Sequence, residues 1–171
     1  LMNIQVDPTT EIKDVPVNGM DVPFTIEANV FQVLVTIFKD EGVKEKLYMP
    51  DGTEVLCGNN AATGVLCRGN PNAVSYSITN PAVGEWIVRL DGRGQAMIRK
   101  IIFPKNIIIK QADFQKPWPA GKPFHTSFQI VDEENENMEI SGVGLTLTKP
   151  DGSIEPVELQ KDGETYFINY G

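Results

Sequence analysis

Turn-forming residues interrupt this sequence at short intervals along nearly its whole length. Fifteen glycines and twelve prolines separate short runs of β-branched and aromatic residues. They leave little room for a helix of about ten residues or more. Helical periodicity is almost absent, whereas apolar and polar residues alternate between the turns. The pattern therefore predicts an all-β protein.

The predicted strands are short and follow one another closely. In the first two thirds of the chain they cover residues 23–27, 31–38, 46–49, 74–79, 85–90 and 96–103, with a hairpin turn expected at residues 91–94. After Pro104 they cover residues 107–112, 126–131, 144–148, 155–159 and 165–168. Many short strands at such spacing are typical of β-sandwiches.

Two segments, GVKEKLYMPDGT at residues 42–53 and GVGLTLTKPDGS at residues 142–153, are near copies at an offset of 100 positions. In each, Pro-Asp-Gly supplies a preset φ, a side-chain cap and a residue that tolerates positive φ, which are the requirements of a tight turn. Each copy offers one carboxylate, so we expect Asp51 and Asp151 to cap turns rather than to act as acids or ion ligands.

The offset between the copies predicts two tandem β-sandwich domains, at residues 1–104 and 105–171. The first would carry an N-terminal extension. The second has 67 residues (105–171), against roughly 100 for a typical sandwich domain. It also ends within a strand-like pattern. We therefore expect it to be incomplete, with closing strands that lie outside this sequence or come from a neighbouring chain.

The charge balance argues against two classes of partner. The formal net charge is −8, whereas nucleic acids and anionic membranes require basic patches. The longest apolar runs, such as residues 33–38, are also far shorter than the roughly 20 residues of a membrane span. The sequence predicts neither nucleic-acid binding nor membrane insertion.

Two cysteines, Cys57 and Cys67, lie in the segment VLCGNNAATGVLC. Their closeness and the matching Val-Leu before each predict a disulfide across a β-hairpin. Two buried thiols in a cytosolic protein remain the alternative. A zinc site has little support, because His125 alone is available to join them. A bridge would indicate an oxidising compartment, whether secreted, periplasmic or at the cell surface.

Phosphate-binding glycine loops, nucleophile elbows and paired-carboxylate motifs are all absent from the sequence. We therefore predict no catalytic residue and no cofactor. His125, between Phe124 and Thr126, is expected to begin a strand. The acidic run Asp132, Glu133 and Glu134 is a weak calcium candidate, since it lacks the loop glycine and the terminal glutamate of an EF-hand. A solvated hairpin tip is the preferred interpretation.

Three aromatic residues are candidate contacts for a partner or a glycan. Trp86 follows the turn NPAVGE and either fills the end of the core or forms a ligand platform. Trp118, in the proline-rich segment KPWPAGKP, is expected to be exposed and available to a partner. Tyr76 is a third candidate platform.

A family resemblance emerges from FTIEA at residues 24–28, the strand at 31–38, MPDGT at 49–53 and NPAVGEWIVRL at 80–90. Residues 23–103 resemble the immunoglobulin-like domain that follows von Willebrand factor A domains in hemicentins, calcium-activated chloride channel regulators and bacterial secreted relatives. The second part, with AGKP at 120–123 and KPDGS at 149–153, looks like a bacterial immunoglobulin-like repeat. The two-cysteine insertion departs from the pattern. No A domain lies in the chain, so the adhesive activity of that domain is not carried over.

Together these features predict a non-catalytic spacer and interaction module of a larger secreted or cell-surface protein. Its partners would be a protein or glycan ligand at a cell surface and the rest of the same polypeptide. The alternative is a carbohydrate-binding accessory module of a secreted hydrolase, with Trp86, Trp118 or Tyr76 as its sugar platform. An enzyme domain would need a polar cleft with strongly perturbed carboxylates.

Overall fold

The computed structural model of the chain describes residues 2–4, 7–57, 64–111, 123–140 and 142–170. Every regular element in these ranges is a β-strand, which confirms the all-β class. In chain order the strands are β1 (Met2–Ile4), β2 (Thr9–Ile26), β3 (Val30–Lys39), β4 (Lys44–Tyr48), β5 (Glu54–Val55), β6 (Val65–Asn70), β7 (Ala73–Thr79), β8 (Gly84–Pro104), β9 (Ile107–Gln111), β10 (Phe124–Val131), β11 (Leu145–Thr148), β12 (Ile154–Val157), β13 (Leu159–Asp162) and β14 (Thr165–Tyr170). These ranges contain no helix with the length and apolar character needed to cross a membrane.

The chain divides into two compact units. The N-terminal unit is Val6–Lys105, and the C-terminal unit combines Asn106–Gly171 with Leu1–Gln5. The predicted boundary after residue 104 therefore differs from the observed one mainly at the N terminus. There β1 pairs antiparallel with β9, so that residues 2–4 belong to the C-terminal unit rather than to the first domain. This pairing satisfies backbone groups along the Ile107–Ile109 run that would otherwise lie at an open edge.

Two long strands, β2 and β8, organise the N-terminal unit. They pair antiparallel from Thr9 opposite Ile102 to Ile26 opposite Gly84, with an irregularity between Asn18 and Met20. The beginning of β8 also pairs with β4, which pairs with β5. The end of β8 pairs with β3, followed by β7 and β6. The strands thus form half-sheet A, in the order β5-β4-β8-β2, and half-sheet B, in the order β6-β7-β3-β8-β2.

Both half-sheets contribute side chains to one hydrophobic core. On β8, Trp86, Val88 and Leu90 come from half-sheet A, and Ala96 and Ile98 come from half-sheet B, yet all five belong to the same buried cluster. The other members of the cluster are Val15, Val17, Val22, Ile26, Val33, Val35, Ile37, Val43, Leu47, Val55, Val65, Val74, Tyr76 and Ile78. Because two half-sheets enclose a single core, the unit is sandwich-like.

The hairpin turn predicted at residues 91–94 is wrong. β8 continues through these residues, because β2 stays beside it in both half-sheets. Gly92 and Gly94 have φ angles of 94° and 151°. A Cβ at Gly92 would lie 2.4 Å from the carbonyl oxygen of Gly42, and one at Gly94 would lie 2.7 Å from Oδ2 of Asp40. The glycines therefore let one strand pass from half-sheet A to half-sheet B beneath the loop at residues 40–43.

Replacing Gly92 by alanine is expected to lower the free energy of unfolding by about 2 kcal/mol, since both the positive φ and the contact with Gly42 oppose a side chain. Gly52→Ala is the matched control, because Gly52 has a φ of 84° and a Cβ added there would meet no atom within 4 Å. It should cost only about 1 kcal/mol. Urea unfolding followed by circular dichroism measures both losses. Equal losses for the two variants would contradict a tight contact at Gly92.

The C-terminal unit has a smaller core. Its main sheet has the order β1-β9-β10-β14-β13, and β11 and β12 form a separate two-stranded sheet. Phe128 of β10 and Tyr166 of β14 stack with their ring centroids 5.2 Å apart. The buried cluster consists of Phe128, Ile130, Met138, Val157, Tyr166 and Ile168. Val157 of β12 is one of these residues, so the two-stranded sheet shares the core of the main sheet.

Candidate functional site

The two Pro-Asp-Gly segments form nearly identical turns. The backbone N–H of Thr53 donates to Oδ1 of Asp51 at 2.9 Å, and that of Ser153 donates to Oδ1 of Asp151 at the same distance. The Ser153 hydroxyl adds a second donation to Asp151 at 2.7 Å. Gly52 and Gly152 both have a φ of 84°. The prediction that the two aspartates cap turns between paired strands is confirmed.

Hydrogen bonding in these turns lowers the pKa of both carboxyls. For Asp51 the main cause is the backbone N–H of Thr53. For Asp151 it is the hydroxyl of Ser153, followed by its backbone N–H. A carboxylate that accepts such bonds is held in its ionised form. Both groups therefore suit capping and are poorly suited to donating a proton.

The acidic run 132–134 is also organised by turn geometry. Asp132 is buried, and its Oδ1 accepts hydrogen bonds at 2.9 Å from the backbone N–H groups of Glu134 and Glu136. Glu133 and Glu134 are exposed. Val131 and Asn137 bridge across the base of this turn, so a hairpin tip forms as predicted, but Asp132 is buried rather than solvated. Among the described residues, no group of three or more His, Cys, Asp or Glu side chains is arranged to hold a metal ion.

His125 lies on the exposed side of β10. Its Nδ1 is 2.7 Å from Oδ1 of Asn169, the residue directly opposite on β14. The pair is a cross-strand contact on the sheet surface. His125 does lie near the start of a strand, as predicted, since β10 starts one residue earlier.

Two of the three aromatic candidates, Trp86 and Tyr76, lie in the core. Trp86 is 1% exposed, its Nε1–H donates to the carbonyl of Ala82 at 2.9 Å, and it stacks on Phe24 with centroids 6.4 Å apart. Tyr76 is also buried, and that burial raises the pKa of its hydroxyl to about 12. Trp86 therefore fills the core, which was one of its two predicted roles. Neither Trp86 nor Tyr76 can be a sugar platform, because a core side chain has no face to offer a ligand. Trp118 lies outside the described residues.

The predicted disulfide between Cys57 and Cys67 is present, with the two Cα atoms 5.2 Å apart. It does not cross a hairpin, however. Cys57 follows β5, which pairs with β4, whereas Cys67 lies in β6, which pairs with β7. Since β5 is the outermost strand of half-sheet A and β6 the outermost strand of half-sheet B, the bridge joins the outer strands of the two half-sheets.

The other end of both half-sheets is formed by β2, and it contains a small, open depression with a volume of about 50 Å³. Glu11 and Lys13 line it from the part of β2 in half-sheet B. The remaining lining residues are Val22, Pro23 and Phe24 of β2, Val35 of β3, and Val88, Ile98 and Lys100 of β8. The depression therefore has an apolar floor and a charged rim, but it is far smaller than a typical ligand pocket of roughly 300–1,000 Å³.

Two of the charged groups of the rim, Glu11 and Lys100, are paired with each other. Nζ of Lys100 lies 2.7 Å from Oε2 of Glu11 and 5.5 Å from the ring centroid of Phe24. The hydrogen bond from Lys100 lowers the pKa of the Glu11 carboxyl. Glu11 is consequently ionised at neutral pH and is a poor proton donor. Glu11 is the only carboxylate among the described residues that line the depression, so the depression offers no pair of carboxylates for acid–base chemistry.

Sequence reasoning missed this depression because residues 9–22 were not predicted as a strand. The first six residues of β2 are exposed on both faces, so they lack the apolar alternation by which a strand is usually recognised. One feature of the sequence did indicate that this segment continues the strand. Glu11 and Lys13 alternate in step with Val15 and Val17, so all four lie on the same face of β2, and the two valines are buried in the core.

No protein-family model matches the sequence, and no curated protein matches it. Among solved structures, the propeptide form of the lipase BlEst2 from Bacillus licheniformis is similar over 87% of this chain and 43% of that chain, at 12% identity and a TM-score of 0.38. A DUF4785 family protein from Legionella pneumophila is similar over 96% of this chain and 54% of that chain, at 10% identity and a TM-score of 0.30. The chain spans about half the length of each of these proteins. Likenesses this weak carry no argument about function.

Proposed function

We propose that the chain is a non-catalytic structural and interaction module of a larger secreted or cell-surface protein, made of two tandem immunoglobulin-like units. The observation that carries this proposal is the Cys57–Cys67 disulfide, which joins the outer strands of the two half-sheets. Such a bridge closes one side of a sandwich covalently. It suits a domain that must keep its shape in an oxidising compartment.

The hydrogen bonds and ion pairs made by the acidic side chains also support a structural role for the chain. Asp51 and Asp151 cap the two Pro-Asp-Gly turns, and Asp132 caps the hairpin tip. Glu11 is held by Lys100. In each case the carboxylate stabilises the backbone or a neighbouring charge, whereas a general acid or base needs a carboxyl poised to exchange its proton near neutral pH.

The disulfide is consistent with an extracellular or periplasmic location, since thiols are kept reduced in most cytosols. Cell fractionation and protease treatment of intact source cells test the location. The parent protein should be found in the medium, the periplasm or the protease-accessible surface fraction. Detection in the cytosolic fraction alone, with two titratable thiols per native chain, would contradict the proposal.

Removing the disulfide by the paired substitution Cys57→Ala and Cys67→Ala is expected to lower the free energy of unfolding by about 2.5–3 kcal/mol. The loop-entropy relation gives this value for a sequence separation of 10 residues. Urea unfolding with and without dithiothreitol measures the effect. The reductant should move the wild-type midpoint to that of the variant and leave the variant unchanged, because Cys57 is exposed and the reductant can reach it. A wild-type midpoint that is indifferent to complete reduction would show that the bridge does not stabilise the fold.

A further inference from the structure

β2 presents an unpaired edge at the start of the N-terminal unit. Among the described strands it pairs with β8 alone, and β8 occupies one side of it along its length. The backbone N–H and C=O groups on the other side of residues 9–14 therefore have no strand beside them in the described part of the chain. Such an edge is a template for a further strand.

The side chains along this edge alternate between the two faces of half-sheet B. Glu11 and Lys13 lie two and four residues from the core residue Val15, so they are on the same face of β2, and they line the depression. Ile12 points to the opposite, outer face and is 59% exposed. An isoleucine so exposed in the middle of a strand loses contact with water when a second strand pairs beside it.

The sequence of the edge is complementary to itself. In an antiparallel pair of two such strands centred on Ile12, Glu11 of each copy lies opposite Lys13 of the other, and the two Ile12 side chains lie opposite each other on the outer face. Thr10 lies opposite Asp14. Opposite charges and branched apolar residues are favourable cross-strand neighbours. A two-fold axis relates the two copies, as it does in most homodimers.

We propose that the chain self-associates through this edge, with β2 of one copy pairing antiparallel with β2 of a second copy about Ile12. Half-sheet B has five strands in each copy, so that the pair forms one continuous sheet of ten. The charges on β2 act here as a register signal. A parallel pairing in register would place Glu11 beside Glu11 and Lys13 beside Lys13. An antiparallel pairing in a slipped register would lose both contacts between Glu11 and Lys13.

The association is weak, because a single edge of about six residues buries less surface than a standard protein interface. We expect a dissociation constant on the order of 10–100 μM. A module that is repeated at high local density on a surface would still pair, since tethering raises the effective concentration to the millimolar range. This self-association does not depend on the secreted location proposed above.

Charge reversal at the edge tests the pairing. Sedimentation velocity of the 171-residue chain from about 5 to 300 μM, a range that brackets the expected dissociation constant, should show a monomer–dimer equilibrium. Glu11→Lys and Lys13→Glu each place like charges opposite one another twice, and each should weaken dimerisation at least about tenfold. An equimolar mixture of the two variants should dimerise again, because each Lys of one then faces a Glu of the other. The double variant with both reversals should also regain the homodimer.

Two controls separate pairing from folding. Glu11→Lys also removes the partner of Lys100, whereas Lys13→Glu does not, so thermal unfolding of both variants identifies any loss of fold. Ile12→Lys should abolish dimerisation, and Ile154→Lys, at an isoleucine 68% exposed on β12, should not affect it. A wild-type chain that stays monomeric at the highest concentration overturns the proposal. So does a dimer that survives Ile12→Lys, or a mixture of the two charge variants that stays monomeric.

Discussion

Replacing Trp86 with alanine is expected to lower the free energy of unfolding by about 3–5 kcal/mol, the range found for truncating a large buried aromatic residue. The indole is 1% exposed and belongs to the core between the half-sheets. The substitution leaves a cavity in this core, removes the stacking on Phe24 and deprives the Ala82 carbonyl of its donor. Urea unfolding followed by far-ultraviolet circular dichroism measures the loss independently of tryptophan fluorescence.

Phe31→Ala is the control for this substitution. Phe31 is an aromatic residue of the same unit but is 47% exposed, and its truncation should change the free energy of unfolding by only about 0.5 kcal/mol. Trp86→Phe should fall between the two, because most of the ring volume is kept while the hydrogen bond to Ala82 is lost. A loss below about 1 kcal/mol for Trp86→Ala would mean that the residue does not belong to a tightly packed core.

Replacing Lys39 with methionine is the second substitution from which we expect a loss of about 3–5 kcal/mol. The Lys39 side chain is 7% exposed, and its Nζ lies 3.0 Å from Oε2 of Glu45. The same ammonium donates to the carbonyl oxygens of Val43 and Pro71 at 2.7 and 2.9 Å. All three N–H bonds of Nζ are therefore used, and methionine would leave one carboxylate and two carbonyls without their donor. Chemical unfolding at neutral pH measures the loss.

Lys46→Met is the control for Lys39→Met, because it makes the same chemical change at a lysine that is exposed rather than buried. The Lys46 side chain is 47% exposed and lies 3.2 Å from Oε2 of Glu54. Exposed pairs of this kind contribute at most about 1 kcal/mol. Adding Glu45→Gln to Lys39→Met should recover part of the loss, since the uncompensated charge is then removed. Similar losses for Lys39→Met and Lys46→Met would contradict a specific role for the buried pair.

Turn chemistry was predictable from the sequence because it is local. Pro, Asp and Gly at residues 50–52 and 150–152 determine their own backbone angles and hydrogen bonds within a few residues, and both turns formed as expected. Most strands with clear apolar alternation were predictable for a similar reason. The start of β2, the strands β1, β5 and β6, and most of β13 were missed, since these segments are short or lack that alternation.

The predictions that proved wrong have one cause in common: each depended on contacts between residues that are far apart in the sequence. Residues 91–94 contain two glycines and an aspartate, as hairpin turns do, yet β2 holds β8 in one strand across them. Cys57 and Cys67 are close in sequence, yet their strands pair with different partners. The burial of Tyr76 depends in the same way on strands far along the chain that cover it.

The same distinction between local and distant contacts applies to the candidate sites. The sequence alone indicated which acidic residues would cap turns and that the two cysteines would bridge. The depression and the free edge at β2 appeared only in the folded unit, because they require residues 9–24 to lie beside residues 84–102.

The sequence by itself determined the all-β class, the two Pro-Asp-Gly turns and the pair of cysteines, since these depend on neighbours a few residues apart. The tertiary structure alone decided which strands pair, which aromatic residues are buried and which edge has no neighbouring strand among the described residues. Those outcomes depend on the register between segments far apart in the chain, such as Thr9 opposite Ile102. Their free energy comes from burying a common core, and no short stretch of the chain encodes it.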